Sequence, residues 1–216
     1  MSQSQLLFAN RYKYMMNQPK RRGRPRAYDP DRALARALES FWKSGYSGTS
    51  LDDIAEATGM NRPSLYAAFG GKKDLYLKAL DQYWTMSRLA LSEALADDVP
   101  LREALMRVYD KALSIYFSGK ERPRGCFAIG TAITEAVDNP EIRSALAKGL
   151  QALDKGIEAR LRAAAARGEL KSNTDPAALA MLASAAMHSI AIRARSGTPK
   201  AELRKFAHHA VDVICG

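Results

Sequence analysis

An all-α fold is predicted by three observations. Apolar residues recur at i, i+3 and i+4 from Asp31 almost to the C-terminus; the periodic runs open on Ser, Thr, Asn or Asp, often with Pro beside them; and no stretch alternates with the period of a strand. About nine helices account for the chain. No internal repeat or low-complexity tract is visible.

The first helix starts at Asp29-Pro30-Asp31, where the acids suit the positive end of a helix dipole. It carries a stripe of Leu34, Ala37, Leu38, Phe41 and Trp42 and ends at Gly45. Ser50 and Asp53 have the spacing of a capping box and open the second helix, which buries Leu51, Ile54 and Ala55 and closes at Gly59. In the third, Asn61 caps, Pro63 sits in the first turn, Met60 can staple to Leu65, and Gly70 and Gly71 stop it.

A long fourth helix is expected over residues 73–96, with Leu75, Ala79, Leu80, Tyr83 and Leu91 along it, and a fifth from Leu101 to Phe117. Residues 118–125 (SGKERPRG) read as a loop, and Cys126 to Val137 as an apolar helix. Asn139-Pro140 cap a helix running to Gly168, and two more cover residues 176–195 and 199–214, each behind a Thr or Asp cap with Pro.

At 47% hydrophobic residues the chain can bury a substantial core. A net charge of +10 points to an anionic partner, nucleic acid or a membrane surface. Seven basic residues and no acid lie between Arg11 and Arg26, so the excess is concentrated near the N-terminus. Cys126 and Cys215 are too few for a disulfide framework, which suits a reducing cytoplasm. Neither a secretory signal nor a membrane-spanning run is read from the sequence, and residues 1–14 receive no structural role.

Three short helices with a tight glycine turn between the second and third form the pattern of a helix-turn-helix DNA reader. Leu38, Phe41, Trp42, Leu51, Ile54, Leu65 and Phe69 would form its core, leaving Arg62, Ser64, Tyr66 and Ala67 on the outer side of the third helix. An arginine there can pair with guanine O6 and N7, hydroxyls can reach base edges or phosphates, and an alanine allows close approach and contact with a thymine methyl. Thr49 and Ser50 open a helix N-terminus suited to a phosphate, and Lys72 can pin a second one. Arg22, Arg24 and Arg26 form a basic arm for the backbone or a narrow minor groove. Domains are drawn as an arm over residues 1–27, a helix-turn-helix domain over 28–75 and a larger helical domain over 76–216.

The stretch from Gly23 to Leu80 resembles the N-terminal domain of the TetR/AcrR family of bacterial transcriptional regulators. The resemblance rests on Gly45-Tyr46, Thr49-Ser50-Leu51, Asp53-Ile54-Ala55, Thr58-Gly59-Met60, Ser64-Leu65-Tyr66, Phe69 and Lys72-Lys73-Asp74-Leu75. It implies a repressor: a homodimer on a palindromic double-stranded DNA operator, released by a small-molecule effector in the helical C-terminal domain. That domain resembles the family only generally, although PRGCFAIGTAITEA, RAAAARGEL and SIAIRARSG are similar to a subgroup with a cysteine at the start of its sixth helix.

In that domain Trp84, Tyr109, Tyr116, Cys126 and Phe127 are candidates to line a ligand pocket, or simply to fill core. Cys126 has two readings, an oxidant or electrophile sensor near Arg122 and Arg124, or a small buried residue. The small-residue stretch LAMLASAAMHSIAIRA, through Met181, Ala185, His188 and Ile192, is expected at a dimer interface with Leu203, Phe206, Ala210, Val211, Val213 and Ile214 of the last helix. His188, His208 and His209 do not have metal-ligand spacing, and no metal or cofactor is expected. Two rival functions find less support in the sequence. An enzyme on a helical scaffold has no P-loop, GxSxG or HExxH motif to support it. A membrane-surface protein would use the Arg11–Arg26 segment, whose Gly and Pro oppose an amphipathic helix.

Overall fold

Short helices are unstable alone, so each must be held at its ends and on one face. The computed structural model describes residues 28–96, 99–119, 121–171 and 173–216, and among these it has nine α-helices and no strand. Arg22, Arg24 and Arg26, expected to form the basic arm, lie outside the described residues.

The chain forms two compact units, divided between Tyr83 and Trp84. In the first, α1 (Pro30–Ser44), α2 (Leu51–Thr58), α3 (Arg62–Phe69) and the start of α4 (Lys72–Ala94) assemble around an aromatic core. Local caps start the first three. Asp29 accepts from the amides of Asp31 and Arg32, Ser50 and Asp53 complete the capping box, and Asn61 accepts from Ser64 N at 2.9 Å. Gly59 ends α2 in the left-handed region at φ +71°, a conformation that favours glycine. Carbonyls at the far ends are also satisfied: Arg36 donates to Ala57 O at 2.9 Å and Lys78 to Phe69 O at 3.0 Å.

Phe41 meets Tyr76 edge-on at 5.1 Å and Trp42 meets Tyr83 at 5.3 Å. These contacts carry the unit past residue 75 to Tyr83, because the first turns of α4 supply part of its core. Leu34, Leu51 and Ala55, expected on the buried sides, are only half-buried.

The second unit holds the rest of α4 with α5 (Leu101–Tyr116), α6 (Phe127–Thr131), α7 (Pro140–Ala166), α8 (Pro176–Arg195) and α9 (Lys200–Cys215). α8 packs on α7, α9, α5 and α6, and α9 also packs on α5. By length and composition alone α8 could cross a membrane; in this unit it is the shared core helix, burying Ala180, Ala183, Ser184, Ala186, Met187, Ile190, Ala191 and Ala194.

Three expectations for this unit need correction. The helix foreseen from Cys126 to Val137 stops at Thr131 and continues as turns. Thr131 donates its hydroxyl to Phe127 O at 2.8 Å, which bends a helix, and β-branched Thr131, Ile133 and Thr134 resist its extension. Asn139 does not cap α7 through its side chain but donates Nδ2 to Glu135 O, and α9 starts at Pro199 without a side-chain cap.

The start of α5 is held from a distance. Glu169 Oε2 accepts from Leu101 N at 2.6 Å, and Glu169 Oε1 accepts from Arg167 at 2.7 Å. The buried Arg160 lies 3.9 Å away and donates to Val99 O at 2.8 Å. The Leu101 amide first, then Arg167, holds the Glu169 carboxyl below the usual range. A carboxylate with a depressed folded pKa stabilises above its unfolded value, near 4.3, and that contribution is lost as pH falls through the folded value. Glu169→Gln is therefore expected to lower the melting temperature by a few degrees at pH 7, with the difference from wild type shrinking as melts are run at successively more acid pH.

Candidate nucleic-acid interface

α3 presents two unlike sides. Leu65 and Phe69 are buried, as is Met60 before the cap, whereas Arg62, Tyr66 and Ala67 are exposed and Ser64 is half-exposed. Tyr66 is 53% exposed, so its ring stands away from the core rather than packing on α1. The residues expected to face a groove therefore share the outer side of one short, capped helix.

The corner before α2 is held by side-chain hydrogen bonds. Thr49 is buried, and its hydroxyl donates to Gly45 O at 2.6 Å and Ser40 O at 3.3 Å. The Thr49 side chain therefore locks the turn from which the α2 N-terminus projects. Ser50 is exposed, but its hydroxyl and amide both engage Asp53 at 2.7 Å. Ser50's bonds hold the Asp53 carboxyl below the usual range. The amides of the next residues in α2 are the groups oriented for an anion at this helix end.

Lys72 comes to the same corner. Its Nζ lies 4.4 Å from the centre of the Tyr46 ring, a cation–π contact, and Tyr46 in turn meets Tyr76 at 5.0 Å. This arrangement carries the ammonium group on a rigid aromatic support. In the sequence Tyr46 stands out only among the residues of the family resemblance.

A second feature missed from sequence is the partner of Arg62. Its Nε donates to Asp52 Oδ1 at 2.5 Å and its Nη2 to Asp52 Oδ2, forming a side-on pair between the first turns of α2 and α3. Both side chains are exposed. The hydrogen bond from Arg62 holds the Asp52 carboxyl below the usual range. Periodicity identifies the outer side of each helix but not this pairing across two of them.

In the second unit the described cleft has a volume of about 390 Å³ and is lined by Cys126, Ile129, Gly130, Ala191, Ile192, Arg195 and Ser196. Of the five residues proposed for a pocket, Cys126 lines it. Trp84, Tyr109, Tyr116 and Phe127 are buried elsewhere: Trp84 stacks tightly on Gly149, and Tyr109 donates to Ala183 O at 3.0 Å. Burial pushes the Tyr116 phenol well above its ordinary value.

Among the residues expected at a dimer interface, Met181, Ile192, Phe206 and Val213 are exposed, Ala185 is exposed and His188 is half-buried. Burial lowers the His188 pKa, with Asp154 opposing the shift. Leu203, Val211 and Ile214 instead face the unit's own core, and Ala210 is half-buried. Arg193 lies 5.8 Å from the Phe206 ring, so the outward sides of α8 and α9 adjoin.

A capped α2, a tight turn and an outward polar face on α3 define a helix-turn-helix DNA-binding protein. Two family models match the chain: bacterial regulatory proteins of the tetR family over residues 33–79, and the tetracyclin repressor-like C-terminal domain over residues 100–210. The HTH-type transcriptional repressor ComR of Escherichia coli (strain K12) is 32% identical over 188 residues, covering 87% of this chain and 90% of that protein. The transcriptional regulator AcuR of Cereibacter sphaeroides is 31% identical over 170 residues, covering 76% and 77%. Among solved structures, a cysteine variant of the TetR-family regulator CifR with 26-bp double-stranded operator DNA superposes with a TM-score of 0.79 at 31% identity, covering 88% of this chain and 98% of that one. The chain belongs to the TetR family of transcriptional regulators and is not an enzyme.

Proposed function

We propose that this chain is a repressor that binds a palindromic operator as a homodimer and is released by a small-molecule effector. The observation that carries the reading is the outer side of α3, where Arg62, Ser64, Tyr66 and Ala67 stand clear of a core that fixes the helix from behind. In this reading those residues read base edges, while Lys72 and the α2 N-terminus hold phosphates, with Ser50 shaping that end through its capping box. The arm through Arg22, Arg24 and Arg26 adds backbone or minor-groove contacts. The ComR relative is a repressor and the CifR neighbour holds operator DNA, both of which support it.

The reading head is the helix-turn-helix domain, and residues 76–216 serve dimerisation and effector binding. Met181, Ala185, His188 and Ile192 of α8 and Phe206 and Val213 of α9 form the interface, because large exposed apolar side chains on adjoining helices suit a self-complementary contact. Two heads about 34–36 Å apart would then meet successive major grooves. The cleft at Cys126 is the effector site, and a reactive or oxidising compound is the inducer if its thiol reacts. An effector acts only by its differential affinity for the released state. The protein acts in the cytoplasm, where operator DNA lies.

Footprinting of the full-length protein on the DNA flanking its coding region tests this. A protected palindrome that is lost on adding an inducer or oxidant is expected. Absence of protection on any flanking fragment would contradict the reading.

A further inference from the structure

The Arg62–Asp52 pair contributes little to the fold. Exposed ion pairs are weak stabilisers, and α2 and α3 already have their caps from Ser50–Asp53 and Asn61–Ser64. The geometry of the pair is nevertheless specific. Asp52 occupies the Nε edge of the guanidinium, one oxygen on Nε and the other on Nη2. The far edge, with one N–H on each terminal nitrogen, projects from an exposed side chain on the outer side of α3.

We propose that Asp52 is a positioning residue for base selection: it holds Arg62 side-on so that the far edge of the guanidinium selects a guanine in each half-site. The inference rests on α3 being the recognition helix and adds to it a residue of the preceding helix. Two parallel N–H groups fit the two acceptors of guanine, O6 and N7, whereas adenine sets an amino group against one of them. A free arginine loses rotamer entropy on docking and can turn to a phosphate instead. One already held by a carboxylate has lost that freedom before DNA arrives.

Asp52 has a second effect in the same direction. Its negative charge lies in the first turn of α2, beside Asp53, at the helix end suited to a phosphate. There it opposes binding that depends on the DNA backbone alone, since phosphate attraction is the sequence-independent part of affinity. Removing it should favour random DNA while loosening the choice of base.

The test uses the full-length chain and a pool of randomised duplexes, followed by affinity measurements on the selected duplex and on versions with each guanine replaced by adenine. Wild type is expected to select a guanine whose replacement costs roughly 5- to 150-fold. Asp52→Ala should cut that ratio several-fold at that position alone while binding random duplex more tightly; Asp52→Asn should fall between. Arg62→Ala should abolish the ratio, and adding Asp52→Ala to it should change the ratio no further, as expected if Asp52 acts through Arg62.

A ratio unchanged or raised in Asp52→Ala would overturn the proposal, as would parallel weakening on all duplexes, the mark of a merely structural role. A wild-type protein that selects no sequence would overturn both this inference and the recognition-helix reading. Selection by wild type with an Asp52-independent ratio would overturn this inference alone.

Discussion

Replacing Met181 and Val213 together by glutamate is expected to leave the helical content unchanged, to convert the proposed dimer to a monomer and to weaken operator binding by about 10²- to 10⁴-fold. Met181 is 64% exposed and Val213 69% exposed, so the new carboxylates are solvated in the isolated chain and disturb no core. In a dimer joined through α8 and α9 the same carboxylates would be buried against apolar partners, at a cost of several kcal/mol per uncompensated charge. Losing the dimer makes the second half-site contact a separate bimolecular event, and the stated range is the usual advantage of linked over independent binding. Sedimentation and operator titration, run on one preparation, check both parts. A double variant that stays dimeric places the interface elsewhere.

The second large effect is on stability. A Cβ added at Gly149 of α7 would lie 2.0 Å from Cε2 and 2.4 Å from Cζ2 of Trp84, inside a ring rather than at the end of a flexible chain. Overpacking of this kind typically costs about 1–3 kcal/mol, and a rigid indole places it at the upper end. Alanine recovers about 1 kcal/mol as a better helix former than glycine. The net expectation for Gly149→Ala is about 1–2 kcal/mol, or roughly 2–8 °C in melting temperature for a chain of this size. In a Trp84→Phe background the smaller ring leaves space, and the penalty should shrink. An unchanged melting temperature in Gly149→Ala would show that the indole yields freely.

Features set by near neighbours in the chain were legible in the sequence. Ser50 with Asp53, Asn61 and Asp175 all cap as their spacing predicts, because each cap bonds amides only two or three residues away. The outward side of α3 was legible for a similar reason, since Leu65 and Phe69 fix which side faces in. Contacts between elements were not. No spacing rule pairs Arg62 with Asp52 or Glu169 with Leu101, because those partners are brought together only by tertiary packing. Thr49 is legible as part of a helix start, but not its hydroxyl bond back to Gly45 O, which closes the turn. The aromatic residues of the second unit read equally well as pocket or core, and the burial of Tyr109, Tyr116 and Phe127 suits either role.

The central claim, that α3 reads bases while Lys72 holds the backbone, is tested most directly by titrating operator and random duplex with wild type, Arg62→Ala and Lys72→Ala over a range of salt concentrations. Arg62→Ala is expected to lose roughly 5- to 150-fold per half-site on the operator, with little change on random DNA. Lys72→Ala should weaken both duplexes alike and reduce the salt slope by about 1 per head. Equal losses on operator and random DNA in both variants would contradict the account.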